Sequence, residues 1–302
     1  MGSFAGHIDE AIFFIGISLW WMFNIYRDHI TAGCDSSKHK PRLSYPTRIK
    51  WNLPVEIVCK TLFPIGGFLA ELFDGSPHFY DWQGNFTKLV YMQHMTIYGM
   101  FILHGLIDLM DFYRLPLIKG MNYMSVVLCF IWYGIAFYFH SQTHGLDKEP
   151  LEIIIHLLPI FLMFGCALAI FVEYVKGEGA IWPQLIRTFL MLNLGTWFTN
   201  AAFVLYVHDR FPGGETNPDW DRTDYRNVHF MVAAFGMHLN FNMVFMVVAY
   251  AAMYVFYWCK DKKPFSLLTK QHQYNKVTSV VLKENGHESV KLLDGDEEDT
   301  FA

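Results

Sequence analysis

The sequence predicts an all-α membrane protein, a bundle of seven transmembrane helices with a lumenal or extracellular N-terminus and a cytosolic C-terminus. Three observations carry this reading. Hydrophobic residues make up 53% of the 302 residues, aromatics 18% and charged residues only 17%. The apolar residues gather into seven runs, each long enough to cross the roughly 30 Å of hydrocarbon that takes about 20 residues of helix. Lysine and arginine concentrate in alternate connections. The runs lack the alternation of barrel strands, which excludes a β-barrel.

The first run, near 8–26, opens almost at once behind Asp9 and Glu10, with no basic leader and no small-residue cleavage site. It reads as a retained span and not a signal peptide. Gly6 stands where a myristoylation signal needs Ser or Thr. The second run, 52–73, holds Pro54 and Pro64, which start or kink it, and Gly66-Gly67, which permit close helix approach. Its Glu56 and Lys60 stand one turn apart and can neutralise each other. The third, fourth and fifth runs lie near 88–110, 122–140 and 151–175, the last with Pro159. The sixth, 181–207, starts near Pro183 and carries Gly195; the seventh spans 228–258. Residues 1–263 thus form one helical domain, and 264–302 a polar cytosolic tail expected to stay disordered.

Orientation follows from the loops. The first carries Arg27, Lys38, Lys40, Arg42, Arg48 and Lys50, and reads as an irregular basic segment over anionic lipid. The third has Arg114 and Lys119, the fifth Lys176, and the tail begins with Lys260, Lys262 and Lys263. The second, fourth and sixth are poorer, or balanced by acids. The sequon Asn85-Phe86-Thr87 then falls on the non-cytosolic side as a glycosylation candidate. No cysteine pair falls there, so no structural disulfide is expected. Cys259 is a palmitoylation candidate. The net charge of −5 is concentrated in the tail and says little about partners. The tail holds a tyrosine-type pattern, Tyr274 to Val277, and an acidic dileucine pattern, Glu288 with Leu292 and Leu293. Coat adaptors read such patterns on Golgi, endosomal or plasma membranes. The bilayer is the other partner, and nothing points to nucleic acid.

Polar residues within the spans are expensive and mark function. Counting along helices of alternating direction puts His94 and His156 roughly 8–9 Å below the non-cytosolic edge at 1.5 Å per residue, with His238 somewhat deeper. His7 and Glu71 lie at the same side, and His144 in the adjoining loop. Imidazole and carboxylate from several helices can ligate zinc, iron or copper, so His94, His156 and His238, completed by His144, His7 or Glu71, form the expected site. Interhelical hydrogen bonding and a proton or substrate pathway are the competing readings of the same residues. Asn193, Trp197 and Asn200 share one face of the sixth helix, with Asn240 and Asn242 opposite; they either orient the imidazoles or serve interhelical packing. His104 and Asp108 form a separate inner pair, near Lys60. His140 and His144 share a face only if the fourth helix continues past Ser141.

Phe4-x-Gly6-His7 behind Met1-Gly2, Leu19-Trp20-Trp21, His94-x-Thr96-x-Tyr98, Thr143-His144-Gly145, His156, Gly195-Thr196-Trp197-Phe198 and Phe203 to Tyr206 resemble the transmembrane protein 45 family over about 1–258. The resemblance implies a multi-pass protein of Golgi, endosomal or plasma membranes with no established activity. It implies family histidines at His7, His94, His144, His156 and His238, and family carboxylates at Glu56, Glu71 and Asp108. Gln93, and the spacing His140-Ser-Gln-Thr-His144, depart from the family pattern.

A receptor reading fails, because the third helix ends without Asp-Arg-Tyr and the seventh lacks Asn-Pro-x-x-Tyr. A retinal pigment fails too, for want of a lysine between 228 and 258. Three readings stand. One is a metal-binding membrane protein, whose enzyme form is a hydrolase with Glu71 or Asp9 as base beside metal-bound water. Another is a proton- or metal-coupled transporter. The third is a trafficking or scaffold protein.

Overall fold

Each apolar run becomes a helix. The computed structural model describes residues 4–47, 54–75, 79–142, 149–207 and 221–261. Among these are α1 (Phe4–Thr31), α2 (Val55–Gly75), α3 (Leu89–Phe112), α4 (Met121–Gln142), α5 (Pro150–Lys176), α6 (Ile181–Tyr206) and α7 (Tyr225–Asp261), with a short 3₁₀ turn at Ser36–Lys38. The described residues hold no strand, only an isolated bridge between Tyr80 and Phe86. Every helix except α5 and α6 overruns its expected span by two or more residues at an end or starts slightly late, because capping turns outside the hydrocarbon extend it. Pro64 and Pro159 sit inside α2 and α5.

Among the described residues, six helices are long and apolar enough to cross a membrane: α1 and α3 to α7. α2 is set apart by its ionisable residues Glu56, Lys60 and Glu71. Two compact units divide at Tyr254. The first holds α1 to α6 and α7 as far as Tyr254; the second is described only for the helical segment from Val255 to Asp261, with exposed Phe256 and Cys259.

In the first unit, α2 packs along α3, α3 on α4, α4 on α5, α5 on α6, and α6 along α1. The two ends of this row meet through side chains. Phe13 of α1 stacks on Phe63 of α2 with ring centroids 4.4 Å apart. α7 lies outside the row: Asn242 donates to Asn193 Oδ1 at 2.9 Å, and the Tyr26 hydroxyl donates to the Met246 carbonyl at 3.0 Å. Lipid is as apolar as leucine, so such helices associate by close packing and hydrogen bonds. Gly195 shows the first: a Cβ there would fall 2.7–2.8 Å from Ile15 Cγ1 and N of α1. Hydroxyls on the spans bond back to their own helix, as Ser18 to Phe14, Thr61 to Ile57 and Thr188 to Gln184, which removes their cost in hydrocarbon.

The contacts define two ends. The head end, where α1 begins, gathers the end of α2, the start of α3, the end of α4 and the start of α5. The foot end, where α1 finishes, gathers the start of α2 and α6 and the end of α3 and α5.

Gly195→Leu is expected to wedge α1 from α6 and destabilise the bundle by about 1–3 kcal/mol. Gly66, with nothing within 4 Å of a built Cβ, tolerates the same change. Thermal unfolding of both variants in detergent checks the contrast.

Candidate functional site

The head end carries a row of four imidazoles from four helices. His7 of α1 faces His156 of α5 at a ring-centroid separation of 5.7 Å. His156 meets His140 of α4 at 5.4 Å, and His140 meets His94 of α3 at 4.8 Å. The row ends on α2, where Glu71 Oε1 lies 3.1 Å from His94 Nδ1. All five side chains are buried, His94 completely. Phe137 and Phe198 wall the row with apolar rings.

Two of the rings have a defined tautomer. His156 Nδ1 lies 2.8 Å from the Glu152 carbonyl oxygen, which can only accept, so Nδ1 carries the proton and Nε2 the lone pair. The Glu71 carboxylate sets His94 the same way. A second partner on Nδ1 raises the basicity of the opposite nitrogen, as it does for metal-bound histidines. Among the described residues, however, no three His, Cys, Asp or Glu side chains are disposed to hold one metal ion. The rings follow one another along a line.

The structure therefore brings His7, His94, His156 and Glu71 together, and adds His140. That residue enters because α4 runs through Gln142, which keeps His140 helical and turns its ring inward. His238, expected in the same group, lies elsewhere. It is half-buried against the Trp197 indole, centroids 5.6 Å apart. Counting residues along α7 says nothing of its neighbours, and α7 stands outside the helix row. The amides bond elsewhere than to the imidazoles. Asn193 Nδ2 donates to its own helix at Phe189, and Asn242 bridges Asn193 and Thr196. Trp197 donates to the Ile155 carbonyl, and Asn200 reaches Met231 Sδ at 3.9 Å. They fasten α5, α6 and α7 to one another. Asn240 is exposed.

Asn85 sits in an exposed turn, its Nδ2 donating to Asp81 Oδ2 at 2.9 Å. That bond, with backbone donors from Asn85 and Gln83, holds the Asp81 carboxyl below the usual range. His144, Tyr274, Val277, Glu288, Leu292 and Leu293 lie outside the described residues.

The foot end is ionic, and residues 39–45 build much of it. This segment, expected over lipid, is tucked into the bundle, with His39, Leu43 and Tyr45 buried. Glu56 accepts from Trp20 Nε1 at 2.8 Å, Trp21 Nε1 at 2.7 Å and the Tyr45 amide at 2.6 Å. Lys60 donates to the Leu43 carbonyl, Ser44 and Asp108, and His104 approaches Asp108 at 3.6 Å. Beside them, Arg187 Nε pairs with Glu173 Oε2 at 2.9 Å, both fully buried. Glu173 also accepts from Gln184 and Tyr123, while Arg187 caps the Arg42 carbonyl and lies 4.0 Å over the Trp21 ring. Because Gln184 Nε2 points at Glu173, its Oε1 accepts from His39 and Tyr45. Glu173 and Arg187 went unremarked in the sequence; their signal was an arginine and a glutamate set into apolar runs near the same end.

Residues 119–251, from just before α4 into α7, match a family described as being of unknown function, DUF716. Transmembrane epididymal protein 1 of Homo sapiens is 29% identical over 168 residues, 55% of this chain and 58% of that protein. The chain thus spans less than two thirds of the human relative. Transmembrane epididymal protein 1 of Rattus norvegicus is 23% identical over 296 residues, 91% of this chain and 89% of that one. Transmembrane epididymal protein 1A of Mus musculus is 22% identical over 297 residues, 92% and 90% of the two chains. This is a multi-pass membrane protein. It is similar to the transmembrane epididymal proteins, and the family description assigns no activity.

Arg187→Met leaves Glu173 charged and buried without its partner, which is expected to cost about 3–5 kcal/mol. Adding Glu173→Gln should restore most of that loss. Unfolding midpoints of the single and double variants measure the difference.

Proposed function

We propose that this chain is a seven-span member of the wider circle that includes the transmembrane protein 45 proteins, and that it handles protons through the head-end imidazole row. α2 is the seventh span. Its ionisable groups are matched inside the bundle, Glu56 by two indoles and Lys60, Lys60 also by Asp108, and Glu71 by His94. A charge so matched costs far less in hydrocarbon than an isolated one. An odd number of spans puts the termini on opposite sides. The basic loops put the N-terminus and the head end on the non-cytosolic side.

The observation that carries the proton reading is the unbroken sequence His7, His156, His140, His94, Glu71, with neighbouring rings 4.8–5.7 Å apart. Imidazole, with an ordinary pKa of about 6.5, takes up and gives back protons near neutrality. A carboxylate, Glu71 on α2, ends the row. The protein is then a proton-linked carrier or sensor of Golgi, endosomal or plasma membranes, with its tail patterns read by coat adaptors. A second reading, a transition metal such as zinc on the same imidazoles, rests on the fixed Nδ1 partners of His94 and His156.

In the purified chain embedded in lipid, the ¹⁵N signals of His94, His140 and His156 are expected to change together as pH falls from about 8 to about 5. His140→Leu, which breaks the middle of the row, should let His94 and His156 change independently. Imidazole signals that stay constant over that range contradict the proton reading. Stoichiometric zinc in the purified chain, lost in both His94→Ala and His156→Ala, would decide for the metal.

Topology is checked separately by adding protease to sealed microsomes. The N-terminal tag should be protected and the C-terminal tag cleaved. Equal fates for the two tags would leave an even number of spans.

A further inference from the structure

Between α1, α2, α3 and α4, and reaching Met191 of α6, lies a partly open cavity of about 60 Å³. Its middle is apolar, walled by Phe13, Ile17, Phe63, Ile97, Phe101 and Phe130. A water-sized sphere needs about 10–15 Å³ of such space, so the cavity admits a short alkyl chain and is too narrow for a fused ring system. Its two polar ends differ. At the foot end, Lys60 spends its three donors on Leu43, Ser44 and Asp108, and His104 Nδ1 bonds Ser125 at 2.9 Å. That end is saturated.

The head end is not. Glu10, 4% exposed, lines the cavity and accepts one bond of 3.2 Å from the Tyr133 hydroxyl. No basic side chain among the described residues bonds to it. Tyr98, 8% exposed, lines the same space, and its hydroxyl has no hydrogen-bond partner among the described residues. Its ring occupies the room left by Gly67, where a Cβ would collide with it. Phe14 and Tyr133 present further aromatic rings beside the carboxyl.

A carboxylate ringed by aromatic faces, above an apolar slot, has the chemistry of an alkylammonium site. The ammonium meets the carboxylate and the Tyr98 hydroxyl, the ring quadrupoles attract its charge, and the chain fills the slot. An alcohol brings no charge to the buried carboxylate, and an alkanoate would add a second negative charge. We propose that Glu10, Tyr98 and Tyr133 form the head of a binding site for a primary amine on a short apolar chain. The site is distinct from the histidine row and does not depend on the proton reading.

Hexylamine, hexanol and hexanoate, titrated against the full chain in lipid nanodiscs, test this by saturable shifts of its unfolding temperature. The amine should bind at least roughly tenfold more tightly than the alcohol, the difference a charge-assisted bond makes, and hexanoate should not bind. Ile97→Phe, which fills the slot, should abolish binding of all three. Tyr98→Phe should weaken the amine selectively, and Glu10→Gln should erase the preference for it over the alcohol. If Glu10→Gln does not fold, the Tyr98 and Ile97 variants decide alone. Equal binding of amine and alkanoate, no saturable amine binding, or amine binding indifferent to both Tyr98→Phe and Ile97→Phe would overturn the proposal.

Discussion

Every charge and imidazole inside this bundle must find its partner within the protein, because hydrocarbon offers none. That constraint sorts the polar residues into two layers. The foot layer is an ionic lattice in which Arg187 pairs with Glu173 and Lys60 bridges Glu56 and Asp108, and it ties five elements together. The head layer is a line of titratable rings that ends on a carboxylate. The first can be read as the device that holds the helices in register. The second has a chemistry that responds to protons or cations.

The role of residues 39–45 follows from the same constraint. The start of α6 brings Gln184 and Arg187 into the bundle, and their donors need acceptors. The backbone carbonyl of Arg42 accepts from both, and the side chains of His39 and Tyr45 donate in turn to Gln184 Oε1. Leu43 at once closes the foot of the central cavity and accepts from Lys60 through its carbonyl. A loop rich in lysine and arginine thus becomes part of the core through its backbone and its apolar residues, while its charges remain outside.

The helices were legible in the sequence because length and apolarity alone decide whether a segment can form a span. That His94 and His156 come to one level was legible too, since rise per residue is fixed, and both meet His140. Azimuth and neighbourhood were not. A helix turns by about 100° per residue, so a one-residue uncertainty in where it starts to pack rotates a side chain out of a site. His238 has a suitable depth but stands on the helix outside the row, against Trp197. His140 was left out of the expected site because its spacing to His144 departs from the family pattern, yet its ring lies between those of His94 and His156. Asn193 and Asn242 were paired in anticipation, and they do meet, but with each other and not with an imidazole. The tucked segment at 39–45 was illegible because its composition is that of a surface loop.

The central claim is that imidazoles from α1, α3, α4 and α5 touch one another inside the membrane. Solid-state NMR on the chain, labelled at histidine with ¹³C and ¹⁵N and embedded in lipid, measures this directly. The account predicts through-space ring-to-ring correlations for His94 with His140, His140 with His156 and His156 with His7, and none linking His238 to them. Rings without mutual correlations, each seen only beside lipid or aliphatic carbons, would contradict it.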